Sequence, residues 1–224
     1  MTLPTPKSTT TRIPLINSTG EDEHNLQHAK ANMKKVILIG DSIRLGYGNF
    51  VKDSLKEVAE VYAPEENCEF AQHVFVHLSR WRRLAGDPSG VDLVHWNCGQ
   101  WDSARFRGDP RPLNSHEVYA DMLERINLHI AKIFPNAKIV FATTTPMNPN
   151  GELNENPRTT AEIAGLNEVA RKVMKRMEVH VNDLFDLMSN ADAGLYTDCV
   201  HFNETGYRLL ARKVTDTILE LLDL

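Results

Sequence analysis

The sequence predicts an α/β fold: a three-layer sandwich in which a parallel five-stranded sheet, order 2-1-3-4-5, lies between two layers of helix. Three observations carry that prediction. Short, unbroken apolar runs occur where a strand buried on both faces is required, beginning with VILI at residues 36–39. These runs alternate with longer segments of helical period, the pattern of βαβ units. Polar residues gather directly after the runs, at the strand ends where open parallel sheets carry their sites.

The first run stops at Gly40-Asp41-Ser42, and residues 46–58 follow with helical spacing. AEVYAP (59–64) predicts a second strand, ended by Pro64, which has no N–H for a ladder. Phe70, Val74, His77, Leu78 and Trp81 recur near one face, so residues 70–84 predict a helix. VDLVHW (91–96) is the third strand, and a polar loop runs over 102–113. Ser115 is placed to cap a helix that reaches Phe134, where Pro135 and Asn136 stop it. Residues 137–146 predict the fourth strand, 148–157 a second polar loop, 159–177 a helix, and 178–183 the fifth strand. Asn203 caps a last amphipathic helix. Right-handed crossovers leave few topologies for this order of elements, and the flavodoxin-like order is the expected one.

A chain of 224 residues fits one domain with an appendage. Residues 1–33, rich in Thr, Ser, Asn and Pro, read as an N-terminal arm or tail, and residues 34–224 as the domain. The apolar segment at 13–16 (IPLI) is able to dock on the domain or on a second subunit, and the oligomeric state is left open. Lys and Arg total 25 against 30 Asp and Glu, a formal charge of −5, so no global electrostatic case exists for nucleic acid. No stretch approaches the roughly 18–20 apolar residues that span a bilayer, and no membrane association is expected. The opening residues lack the basic start and apolar core of a signal peptide. Cys68, Cys98 and Cys199 are too few and odd in number for a disulfide framework, so a cytoplasmic location is expected.

The strand ends hold the parts of nucleophilic acyl transfer. Ser42 follows the first strand, Asn97 and Gly99 the third, and Asp198 and His201 lie beyond the fifth. A serine hydroxyl attacks poorly until a base takes its proton, and an imidazole, which titrates near neutrality, makes His201 a candidate. The three-residue spacing allows the Asp198 carboxylate to reach that ring and hold its tautomer. A developing oxyanion needs donors, and the candidates are the Ser42 N–H at a helix start, the Gly99 N–H and the Asn97 amide.

Other residues carry a plainer reading beside the chemical one. Asp41 and Asp102 are expected to brace their turns. Arg44, Tyr47 and Trp101 adjoin the motifs and serve either substrate contact or packing. His73 and His77 stand at i, i+4, but no glutamate follows in the HExxH manner, so no metal is expected. The basic run at 79–83 and Arg105, Arg107 and Arg111 are expected to be solvated. The cysteines are expected to pack, since they form no CxxC pair.

Taken in order and in strand context, Gly40-Asp41-Ser42, the Asn/Gly/Asp cluster at 97–102 and Asp198-x-x-His201 resemble the SGNH (GDSL-type) hydrolase superfamily, over residue 34 to the C-terminus. The resemblance implies a flavodoxin-like serine esterase that needs no metal or cofactor, with Ser42 as nucleophile, His201 as base and Asp198 as orienting acid. It implies a small-molecule or oligosaccharide ester as substrate, with acetyl as the acyl group. An acyltransferase, or a non-catalytic binding module of the same fold, is the alternative. Two blocks depart from the family pattern. Where the third usually reads Gly-x-Asn-Asp, Gly99-Gln100-Trp101-Asp102 has a Trp, and Asn97 takes the amide's place in a WNxGxxD-type block. The glycine of the second block is missing from Pro64-Glu65-Glu66-Asn67-Cys68, and Asn67 is the candidate to line the pocket there.

Overall fold

A computed structural model of the chain describes residues 33–152 and 155–224. The expected arm, residues 1–33, lies outside them apart from Met33, and with it the segment 13–16.

Five parallel strands form one sheet: β1 (Lys34–Ile39), β2 (Ala59–Tyr62), β3 (Leu93–Trp96), β4 (Lys138–Ala142) and β5 (His180–Asn182). Their order is β2-β1-β3-β4-β5, as expected. The helices are α1 (Ser42–Leu55), α2 (Ala71–Trp81), α3 (His116–Ile133), α4 (Thr160–Arg176), α5 (Leu184–Ser189) and α6 (Glu204–Leu222). β1 pairs with β2 on one side and β3 on the other, so the chain reverses its direction of build across β1 and β3. Ile39 pairs in register with Trp96, which sets Gly40-Asp41-Ser42 beside the residues that follow β3. Such a switch point leaves a crevice outside the strand ends.

The unbroken apolar strands are explained by two cores, because successive side chains leave opposite faces of the sheet. Val36, Leu38, Leu93 and Val140 pack with Val51 and Leu55 of α1 and Leu210, Val214 and Ile218 of α6. Ile37, Ile39, Val94, Trp96 and Phe141 pack with residues of α2, α3 and α4, among them Leu78, Leu123 and Ala170. Full burial of each large apolar side chain contributes roughly 1.5–3 kcal/mol.

The caps act where the sequence places them. Ser115 accepts the Val118 N–H and Asn203 the Gly206 N–H, each relieving an orphan donor at a helix start. Thr159 and Glu162 form a capping box at the start of α4. α1 begins at Ser42, four residues before the expected start at 46, because the Asp41 carboxylate caps it by accepting the Ile43 N–H at 3.0 Å. The six-residue α5, capped by Asp183, was not expected, being too short to show a helical period. No helix among the described residues is long and apolar enough to cross a membrane.

His95 on β3 sits in this core with no solvent exposure. Its Nε2 lies 3.2 Å from the Asn182 amide nitrogen, and its Nδ1 has no partner among the described residues. Burial, helped by His180, pushes its pKa down to about 3. The unfolded chain therefore takes up this proton first as the pH falls. The stability that His95 contributes is complete above about pH 6.5 and is lost from there toward pH 3. One unmatched proton corresponds to about 1.4 kcal/mol per pH unit. Urea unfolding between pH 6 and 4 should accordingly show the parent chain losing stability faster than His95→Gln by about that slope. Equal slopes in the two chains would contradict a neutral, buried His95.

Candidate active site

A residue 42 places into the chain meets a turn near its C-terminal end. Ser42 is the first residue of α1, and its N–H belongs to the helix-start donors that have no intrahelical acceptor. The turn is closed by an antiparallel bridge between Tyr196 and Phe202 and by the Thr197 N–H donating to the His201 carbonyl at 2.9 Å. Within it, Asp198 Oδ1 accepts the N–H groups of Val200 and His201, each at 2.7 Å. Asp198 Oδ2 lies 2.8 Å from His201 Nδ1, and His201 Nε2 lies 2.8 Å from Ser42 Oγ. A carboxylate only accepts, so Nδ1 carries the hydrogen and the Nε2 lone pair faces the hydroxyl. Burial works against the Asp198 charge, but the two backbone N–H groups and the ring outweigh it and hold the carboxyl below the usual range. The arrangement is able to move a proton from the Ser42 hydroxyl to an imidazole whose positive form faces a charged carboxylate.

The loop after β4 anchors this turn. Asn148 donates its N–H to the Cys199 carbonyl at 2.9 Å and its side-chain amide to the Asp198 carbonyl at 3.0 Å. Gly151 packs so closely on the turn that a Cβ there would stand 2.6 Å from Cys199 Cα.

Beneath Ser42 lies a buried polar floor. Asp102 Oδ1 accepts the Ala71 N–H at the start of α2, at 3.1 Å, and the Asn114 amide at 2.6 Å. Desolvation raises its pKa to about 6. Asp41 braces its own turn, and Asp102 is a structural brace between the loop after β3, the start of α2 and Asn114. Asn97 is 6% exposed and presses on the turn from behind: a Cβ on Gly40 would stand 2.0 Å from Asn97 Oδ1. Gly99 has φ +145, and a Cβ there would stand 2.0 Å from Thr144 Oγ1. The Cys98 carbonyl accepts the Tyr119 hydroxyl at 2.8 Å and the Thr144 hydroxyl at 3.0 Å. Because the peptide is planar and trans, fixing that carbonyl fixes the Gly99 N–H in the opposite direction.

A cleft of about 180 Å³ opens on Ser42 and His201, with Asn67, Trp101, Phe106 and Arg158 also in its wall. Asn67 and Trp101 thus line the same cleft as Ser42 and His201, and Trp101 stacks on Phe106 with ring centroids 5.8 Å apart. Neither Asn97 nor Gly99 is part of that lining. A roomier groove, about 600 Å³, lies against Phe75, Arg125 and His129 and holds none of these groups.

Arg44 and Tyr47 are not substrate contacts in this structure. Arg44 is 3% exposed, and its guanidinium donates to the carbonyls of Pro64 (2.9 Å), Glu66 (2.7 Å) and Gly40 (3.2 Å). It ties the loop after β2 to the turn that carries Ser42. Tyr47 is 1% exposed, buried among the α1–α6 core residues and edge-on to His95. Both side chains leave α1 on its inner faces rather than toward the cleft.

His73 and His77 each stack on Trp81 and meet each other at a tilt, with His73 within 3.1 Å of Glu69. Arg80, Arg82 and Arg83 of the basic run are exposed, as are Arg107 and Arg111, whereas Arg105 pairs with Glu162. Cys68 and Cys98 are buried and Cys199 partly so. Arg158, Gln100 and Phe106 escaped the sequence reading. Arg158 directly precedes the Thr159 cap, a position at the carboxyl end of the sheet, and that placement was the available signal.

The family model of the GDSL-like lipase/acylhydrolase family matches residues 38–209. None of the curated proteins matches the sequence. Among solved structures, a lipase/acylhydrolase from Enterococcus faecalis is 22% identical, with TM-score 0.64 over 83% of this chain and 95% of its own. An acetyl xylan esterase is 18% identical, with TM-score 0.65 over 82% of this chain and 99% of its own. A carbohydrate acetylesterase from Sinorhizobium meliloti is 12% identical, with TM-score 0.63 over 84% and 99%. At these identities the structures speak for the fold, while the family model spans most of the chain and takes in Ser42, Asp198 and His201: the protein belongs to the GDSL-like lipase/acylhydrolase family and is a carboxylic ester hydrolase.

Proposed function

We propose that the protein is a serine esterase that removes short acyl groups, acetyl foremost, from small-molecule or carbohydrate esters through an acyl-enzyme. The observation that carries this reading is the 2.8 Å approach of His201 Nε2 to Ser42 Oγ, with Asp198 on the far side of the ring. Ser42 Oγ attacks the ester carbonyl as its proton passes to His201 Nε2. The carbonyl oxygen, now negative, is received by the Ser42 N–H, with the Gly99 N–H and the Asn97 amide at the adjoining strand end as companions. Collapse expels the alcohol, which takes the proton from His201. Water then attacks the acyl-Ser42 ester, with His201 again as base, and returns free enzyme and carboxylate.

The small cleft beside Ser42 favours a short acyl group, and the stacked Trp101–Phe106 pair offers a flat apolar face to a ring. The two acetylesterases of the same fold lend support to acetyl as the acyl group. The reading includes a cytoplasmic location, favoured by three cysteines that form no disulfide.

Ser42→Ala should lower kcat by about 10⁴-fold or more, and Asp198→Asn by less, on the order of 10²–10⁴, since the base survives with its tautomer no longer held. Esterase activity in Ser42→Ala equal to the parent's would overturn the assignment. Because the general base must be neutral to take a proton, activity should also fall in acid and recover fully on return to neutral pH. A rate that rose toward acid pH would rule out an imidazole base. On p-nitrophenyl esters of increasing chain length, kcat/KM should peak at acetyl, and acetylated sugars should be deacetylated. A maximum at eight or more carbons would replace the acetyl reading with a lipase one.

A further inference from the structure

The described part of the chain holds two buried arginines at the sheet's carboxyl edge, and they are held differently. Arg44 is surrounded by carbonyls and lies away from the Ser42 cleft. Arg158 is 8% exposed and forms part of the cleft wall with Ser42 and His201. Its Nε donates to Gln100 Oε1 at 2.8 Å and its Nη1 to the Asn156 carbonyl at 2.9 Å. Gln100, 2% exposed, is in turn fixed by donating its amide to the Thr145 carbonyl at 2.8 Å. Two bonds therefore aim the guanidinium, while Nη2 makes none among the described residues. Arg158 also has no ion-pair partner among them, unlike Arg105, Arg171 and Arg176.

A guanidinium cannot shed its charge at ordinary pH, so burying it without a partner is costly. Burial lowers its pKa, with Asp41, Cys199 and Asp198 acting against the fall. Neither carboxylate lies within ion-pair distance of Arg158: Asp41 caps α1 through Oδ1, and Asp198 holds the His201 turn and ring. An anion entering the cleft supplies what the site lacks. One guanidinium beside the Asp198 carboxylate suits a single negative charge better than a doubly charged phosphate.

We propose that Arg158 is a specificity-determining residue that binds a carboxylate carried by the ester substrate, so that the enzyme prefers anionic esters to neutral ones of the same shape. The proposal rests on the esterase reading and names its substrate class. Charge-assisted hydrogen bonds in a partly buried site support a preference on the order of tenfold or more.

The test compares kcat/KM on two matched pairs. 4-Acetoxybenzoate against 4-acetoxybenzamide places the carboxylate on the alcohol part, and 4-nitrophenyl hydrogen succinate against 4-nitrophenyl butyrate places it on the acyl part. The parent enzyme should favour the anionic member of at least one pair by on the order of tenfold, and high salt should shrink that ratio. Arg158→Gln should bring the ratio to near one while the neutral member is still hydrolysed, and Arg158→Lys should restore part of it. Should Arg158→Gln fold poorly, Arg158→Lys alone decides: a bidentate-capable fork replaced by a point charge must still reduce the ratio. The same preference should appear in binding to Ser42→Ala, where no turnover occurs. Hydrolysis of the neutral esters with no anionic preference in either pair, or a preference unchanged in Arg158→Gln, overturns the inference and leaves the esterase reading standing. No hydrolysis of any of the four by the parent enzyme overturns both.

Discussion

A serine hydroxyl gives up its proton only to a base held within hydrogen-bond distance, and here the two groups are 159 residues apart in the chain. Everything else in the domain can be seen as the means of holding that approach at 2.8 Å. Strand β1, buried on both faces, delivers Ser42 at a fixed height over the sheet, and Asp41 converts the strand end directly into a helix start. No flexible linker intervenes, so the hydroxyl inherits the rigidity of the sheet. His201 has no such strand behind it. Its position comes instead from a tight turn in which a single carboxylate, Asp198, holds both the backbone and the ring. Asn148 and Gly151 then lock that turn to the loop after β4.

The floor of the site shows the same economy of parts. Arg44 binds three carbonyls from two loops, and Asp102 joins the loop after β3 to the start of α2 and to Asn114. These are buried polar groups whose removal leaves orphaned partners rather than cavities, which makes them costly to change. Gly40 and Gly99 are required for different reasons. The first makes room for Asn97, and the second allows a positive φ against the Thr144 hydroxyl. Arg158 differs from these groups, because it lines the cleft and its Nη2 makes no hydrogen bond among the described residues.

How much of this was legible follows from what periodicity and spacing carry. The sheet order could be read because β1 and β3 are apolar on both faces, which only a doubly covered parallel sheet requires. Ser42, Asp198 and His201 could be read because each is polar in a strand-end context where the fold gathers ligands. The direction of a side chain could not. Arg44 flanks a motif residue, but it is the third residue of α1, and helical side chains lean back over the preceding turn. That lean sends it under Ser42 to the carbonyls of residues 64 and 66. Arg158 lies far from every motif in sequence and reaches the cleft only because α4 starts at the sheet's carboxyl edge. The early start of α1 was missed because capping by Asp41 leaves no apolar period to detect.

The catalysis proposed for this site requires Ser42 to be an activated hydroxyl. Its most direct test is to treat the chain with a small fluorophosphonate and map the adduct by peptide mass spectrometry. One adduct per chain is expected, on Ser42, formed rapidly in the parent and at a greatly reduced rate in His201→Ala. An adduct on a different residue, or labelling of Ser42 at the same rate without His201, would contradict it.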